Sequence, residues 1–279
     1  MSEGIQLEVR DERVAIVTID RPERRNALAA EVLDAMHGAF DEIAGRPELR
    51  AVVLTGAGTA FCSGADMKER TGDLGGLGHT PGSALLGRVQ GPITRSFVMQ
   101  ELMASLFEKI HRLRLPVLAA VNGPAHGGGF ALSLACDIRF AARSATFGAV
   151  FIKRGVSACD MGKSYYLPRL VGASRSAELL LTGRVFDAEE AARIGLVLDV
   201  VPDGEVVDRA LETAREIATN SPLAVWMTKE TMWQTIDAPS LRHAIDLENR
   251  TQIMCTATGE LETAFASFRE GRQPEWKDL

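Results

Sequence analysis

Three consecutive glycines, Gly127-Gly128-Gly129, join two apolar runs of different character. Pro116-Val117-Leu118-Ala119-Ala120-Val121 reads as a buried strand, and Phe130-Ala131-Leu132-Ser133-Leu134-Ala135-Cys136 reads as a helix. A strand that turns at once into a helix places the chain in the α/β class. Glycines at such a corner let the backbone approach a ligand and leave N–H groups unpaired at the helix start. Those groups sit at the positive end of the helix dipole and suit an oxyanion or another anion. The same glycines also suit close packing of helix on strand, and the corner alone does not decide between the two.

A second glycine-containing loop shifts the balance. Arg50-Ala51-Val52-Val53-Leu54-Thr55 reads as a buried strand, and Gly56-Ala57-Gly58-Thr59-Ala60-Phe61-Cys62-Ser63-Gly64-Ala65-Asp66 follows it. Two strand-end loops, each presenting one backbone N–H, are what a two-donor oxyanion hole requires. Neither loop has the spacing of a phosphate-binding or dinucleotide-binding glycine motif. Upstream, Val14 to Ile19 reads as a strand and leads to Arg24-Arg25-Asn26-Ala27-Leu28. Asn26 is expected to cap a helix whose apolar positions Leu28, Val32, Leu33, Met36, Phe40 and Ile43 follow helical spacing.

These segments resemble the crotonase superfamily, also called the enoyl-CoA hydratase/isomerase superfamily. The matching motifs run in family order: Arg25-Asn26-Ala27-Leu28, Phe61-Cys62-Ser63-Gly64-Ala65-Asp66, Ala119-Ala120-Val121-Asn122-Gly123, the triple glycine and Ala135-Cys136-Asp137-Ile138-Arg139. Pro168-Arg169-Leu170-Val171-Gly172 and Leu181-Thr182-Gly183 complete the series. The resemblance implies an α/β fold: a crotonase-like spiral of strand–strand–helix units with a C-terminal helical trimerisation region. It implies a homotrimer or homohexamer acting on an acyl-CoA thioester, with coenzyme A entering as part of the substrate and no separate cofactor. The N–H groups of Ala65 and Gly128 would hold the thioester oxygen. Contacts to the CoA ester are expected from Arg24, Arg25, Ala27, Ser63, Asp66, Met67, Lys68 and Gly127, with Phe151 shaping the acyl pocket. The family also reaches CoA from its last helix; a familiar lysine position there falls on Gly271, with Arg269 and Arg272 as neighbours.

The catalytic acids are where the chain departs from the family's hydratases. Those enzymes carry one glutamate just after the triple glycine and another after a Phe-Gly-x-Pro segment. The matching positions here are Ala131 and Phe151, neither of which moves a proton. One carboxylate stands in a suggestive place. Counting back from Pro168-Arg169-Leu170-Val171-Gly172, Asp160 falls where the dienoyl-CoA isomerase and aromatic acyl-CoA dehalogenase branches carry a functional aspartate. A desolvated carboxylate beside the thioester serves as base or nucleophile; an aspartate ahead of a helix also serves as its N-cap. His126 is a second acid–base candidate with packing as its alternative. Cys62, Cys136, Cys159 and Cys255 show no metal-ligand spacing, and no metal site is expected.

Three functions fit these residues. One is an acyl-CoA enzyme of hydratase/isomerase type with Asp160 moving the proton. Another is hydrolysis of a thioester or C–C bond with Asp160 as nucleophile or base. The last is a non-catalytic CoA-binding subunit that kept the fold and lost its acids. A formal net charge of −6 argues against a nucleic-acid partner, and no apolar run reaches the ~18–20 residues of a membrane span. Scattered cysteines and an N-terminus without signal-peptide zones point to the cytoplasm.

The expected organisation is an acyl-CoA-binding core over 1–201, with a flexible glycine-rich lid at 71–96, and a helical oligomerisation region over 202–279. Asp187-Ala188-Glu189-Glu190 resembles a capping box, Leu196 to Val201 reads as a strand, and Ser221-Pro222 opens a helix. Ser240 to Thr256 and Gly259 to Glu270 supply two more helices.

Overall fold

The computed structural model describes residues 4–66, 85 and 88–279. Met67, Lys68 and the glycine-rich stretch 71–83 lie outside the described residues, as does most of the expected lid. Residues 92–96, expected in that lid, belong to the helix Pro92–Arg112, which starts with proline after Gly91 in a left-handed conformation.

Among the described residues, nine strands lie in two sheets: Ile5–Arg10 (β1), Val14–Ile19 (β2), Ala51–Gly56 (β3), Val117–Val121 (β4), Ala125–His126 (β5), Ile138–Ala142 (β6), Thr146–Gly148 (β7), Val185–Asp187 (β8) and Asp199–Val201 (β9). The larger sheet has the order β1-β2-β3-β4-β6-β9, parallel throughout except for the β1–β2 hairpin. The smaller has the order β5-β7-β8. Successive strands alternate between the sheets, β4 then β5, β6 then β7, and helical segments lead on to the next turn. The isolated bridges Leu28–Ala65 and Cys62–Ala125 continue the second layer backwards under the earlier turns. This is a spiral of strand–strand–helix units. Each turn sends a corner to the same edge, so loops from successive turns meet there.

Burial follows from that layering. The strands β3 and β4 are apolar and buried along their whole length, as expected for a parallel sheet covered on both faces. One face carries Val17, Ile19, Val52, Leu54, Ala119 and Val121 into the main core with the helices Ala30–Ala44 and Gly128–Ala135. The opposite face carries Val14, Val53, Leu118 and Phe140 against the helix Val206–Ala218. Beyond it, the helices Leu241–Thr256 and Glu260–Arg269 leave Leu241, Ile253, Met254, Phe265 and Phe268 exposed.

Several boundaries differ from the sequence reading for physical reasons. The strand expected over 196–201 is only Asp199–Val201, because Leu196 and Val197 turn into the core and are held by Ala191. The helix after Asn26 starts at Ala30, with Ala29 at its N-cap and no side-chain cap. The local caps stand as read: Asp187 accepts from Glu190 N at 2.8 Å, and Ser221 accepts from Ala224 N at 3.1 Å.

Candidate active site

Asn26 is fully buried and organises the first loop rather than capping a helix. Its backbone is left-handed (φ 56°), a conformation asparagine tolerates better than most residues. Its Oδ1 accepts from Arg21 N at 2.9 Å, and its Nδ2 donates to the carbonyls of Ala57 and Ala60 at 2.9 and 2.6 Å. One amide therefore fastens the loop after β2 to the loop after β3. Sequence reasoning saw the residue and missed this role, because every partner is either its own turn or a segment thirty residues away.

The second fastening sets the direction of a donor. Leu28 N donates to Gly64 O at 2.8 Å, and Asp66 N donates to Leu28 O at 3.0 Å, which makes Ala65 the central residue of a parallel bridge. The central residue's own N–H points away from such a bridge. Gly128 is the first residue of the helix Gly128–Ala135, where the N–H has no intrahelical acceptor. Among the described residues neither Ala65 N–H nor Gly128 N–H donates to a backbone carbonyl.

The two loops touch through glycine. A Cβ on Gly64 (φ 96°) would stand 2.8 Å from His126 O and 3.1 Å from Gly128 N. The triple glycine divides its work. Gly129 serves packing, since its Cβ would fall 1.9 Å from Cys62 O. Gly127 takes φ 56° and faces the Phe151 ring, 2.9 Å from where its Cβ would be. Gly128 carries the free donor. Close packing thus accounts for Gly127 and Gly129 but not for Gly128.

Side chains close the walls around Gly128. Leu28 Cδ1 and Met161 Cε would lie 3.2 and 3.7 Å from a Cβ there. Ala131 is buried within the helix, and Phe151 sits half-buried in the 3-10 turn Val150–Arg154. Asp160, next to Met161, is half-buried, and its Oδ1 accepts from Gln100 Nε2 on the helix Pro92–Arg112. The helix Lys163–Val171 takes Gly162 as its N-cap and receives no side-chain cap, so the Asp160 carboxylate is not spent as one. Only its backbone carbonyl accepts from Lys163 N, at 3.1 Å.

Lys163 is the residue sequence reasoning missed. It is fully buried, and its Nζ has no hydrogen-bond partner among the described residues. The ammonium lies 4.7 Å over the Phe151 ring. Burial lowers its pKa to about 8, against the pull of Asp160 and Cys159. A signal was available: Tyr166 and Leu167, three and four residues on, are apolar and share its helix face, and both are buried.

The remaining candidates fall around this centre. Arg24 and Arg25 are exposed, and Ser63 N and Oγ reach the carbonyls of Arg25 and Arg24 at 3.0 and 3.5 Å. Asp66 is buried and pairs with Arg21 at 3.3 Å, while Arg21 also donates to Ala27 O. His126 Nε2 lies 3.0 Å from Thr146 Oγ1. Burial, with Arg25 nearby, lowers its pKa and keeps the ring neutral. Burial pushes the Cys62 and Cys136 thiols up to about 12, so neither is a thiolate. Cys159 is exposed, and Arg269 and Arg272 are exposed at the far end of the last helix.

Comparison with known proteins agrees with this fold. Residues 10–279 match the enoyl-CoA hydratase/isomerase family. The Mycobacterium tuberculosis protein named probable enoyl-CoA hydratase EchA12 is 40% identical over 266 residues, covering 95% of this chain and 90% of the relative. A crystal structure of an enoyl-CoA hydratase from Bacillus anthracis superposes with a TM-score of 0.88 at 32% identity, covering 99% of both chains. One of a probable enoyl-CoA hydratase/isomerase from Mycobacterium abscessus gives 0.86 at 35% identity, again over 99% of both.

Proposed function

The chain belongs to the enoyl-CoA hydratase/isomerase family and is an enzyme of that family, and from that premise we propose that it shifts a proton along the acyl chain of a CoA thioester instead of adding water. The observation that carries this reading is the meeting of Ala65 and Gly128, two backbone donors on abutting loops, beside the segment that bears Asp160.

The thioester oxygen takes the N–H groups of Ala65 and Gly128. As a C–H bond on the acyl chain breaks, the electron pair moves onto that oxygen, where both donors stabilise the enolate. One such donor is worth roughly 10²–10³ in rate. The Asp160 carboxylate accepts the proton and returns it to a different carbon. One C–H bond breaks and another forms, the double bond moves, and the mass is unchanged. Hydration needs a second group to activate water, and Ala131 and Phe151 supply none. The CoA portion would lie along Arg24, Arg25 and Ser63, whose polar edge is open to solvent. The apolar faces of the last two helices support assembly into trimers, and four unpaired cysteines support a reducing compartment such as the cytoplasm.

The test is turnover on 2-enoyl, 3-enoyl, dienoyl and cyclic or aromatic acyl-CoAs, with products resolved by chromatography and their masses then read. Isomers of unchanged mass, formed ~10²-fold more slowly by Asp160→Asn, are the expected result. Products heavier by one water, or free CoA, would replace this reading with hydration or hydrolysis. Binding without turnover would make the protein a non-catalytic subunit.

A further inference from the structure

A cation sealed from water with three donors and no acceptor is among the costliest arrangements a fold can hold. Lys163 is such a group. Asp160 is the nearest carboxylate acting on it, yet the Asp160 Oδ1 goes to Gln100 and neither Asp160 nor the exposed Cys159 accepts from Nζ. The ammonium's one described neighbour of complementary character is the Phe151 ring face. The edge of that same ring packs against Gly127, so the Lys163 ammonium, the Phe151 ring and the donor corner are contiguous.

The two positions that resemble glutamate sites hold Ala131 and Phe151, both neutral and at least half-buried, so Asp160 is the carboxylate that faces Lys163 there. A pocket with paired glutamates would repel an anionic acyl group more strongly than one with a single carboxylate and a cation. We propose that Lys163 binds a carboxylate carried by the acyl chain, making the preferred ligands ω-carboxyacyl-CoA thioesters. The carboxylate supplies the acceptor that Nζ lacks, and a charge-assisted bond in a dry site is the strongest return that acceptor can give. The inference rests on the acyl-CoA reading of the site but not on Asp160 being its base.

Equilibrium binding separates the two. Succinyl-, glutaryl- and adipyl-CoA would be titrated against butanoyl-, pentanoyl- and hexanoyl-CoA, pairs that match in carbon number and differ in carboxylate against methyl. These esters are saturated, so the readout needs no turnover and survives failure of the proton-shift reaction. The wild-type protein is expected to bind at least one carboxyacyl ester about tenfold more tightly than its partner. Lys163→Met should remove that preference while holding the methyl-ended esters within about threefold. Equal wild-type affinities, or a preference that persists in Lys163→Met, would overturn the proposal. Should Lys163→Met not fold, Lys163→Gln takes its place, and the wild-type comparison alone still decides.

Discussion

Gly64 and Gly128 approach so closely that a single methyl group on the first would stand 3.1 Å from the amide nitrogen of the second. The neighbouring Ala65 N–H and the Gly128 N–H thus owe their relative placement to the absence of a side chain. Gly64→Ala would also force a non-glycine residue to φ 96° and into His126 O at 2.8 Å. The expected outcome is a kcat/KM about 10²-fold lower or worse, with a stability loss of about 1–3 kcal/mol. Steady-state kinetics on the best substrate and thermal unfolding would check it.

Asp160→Asn separates chemistry from stability. Gly162, not Asp160, caps the following helix, so the unfolding free energy should stay within about 0.5 kcal/mol of wild type. Asp160→Ala should behave alike, whereas a helix cap would lose about 1 kcal/mol on that change. Denaturant titration beside the turnover assay distinguishes the two.

Asn26→Ala should be among the most damaging changes far from any reacting atom. It strands Arg21 N and the Ala57 carbonyl, both paired by the Asn26 amide, and removes the closest donor to Ala60 O. A loss of about 3 kcal/mol or more is expected from those buried groups. Asn26→Gly removes the same bonds but accepts the left-handed backbone, and should recover about 1 kcal/mol relative to alanine. Equal stability of the two variants would contradict the argument.

Lys163 makes a prediction with a sign. Its pKa falls from 10.5 to about 8 on folding, so between those values the unfolded chain holds a proton that the folded chain has released. Stability from this group therefore rises with pH across that window. Below pH 8 the buried ammonium costs the fold up to about 3 kcal/mol. Lys163→Met should be more stable than wild type by about 1–3 kcal/mol at pH 7, and the gap should close toward pH 10. The buried Cys62 and Cys136 titrate alike in both proteins, so the difference between the two isolates the lysine.

What was legible in the sequence was local. The strand Val14–Ile19 follows from its apolar run, the Asp187 and Ser221 caps from side chains that bond within their own helix turn. The close approach of the two glycine loops was legible because glycine is the one residue whose absence of a side chain is itself a signal. Asn26, Gln100 and Lys163 were not legible in their roles. Asn26 bonds across to Ala60 and Gln100 to Asp160, at separations of 34 and 60 residues, which no local pattern encodes. A lysine is ordinarily a solvated charge, and only the helix-face company of Lys163 argues otherwise.

The spiral has a consequence for how such a protein changes its chemistry. The groups proposed to hold the anion are main-chain N–H groups, and substitution of side chains elsewhere in the pocket leaves them in place. The groups proposed to handle the proton and read the acyl tail, Asp160 and Lys163, are single side chains on the segment that follows the smaller sheet, next to the neutral Ala131 and Phe151. Inheritance of the scaffold and invention of the reaction are therefore physically separate. A side chain of such a pocket can be exchanged, carboxylate for neutral or apolar for cationic, without disturbing the main-chain donors proposed to grip the thioester.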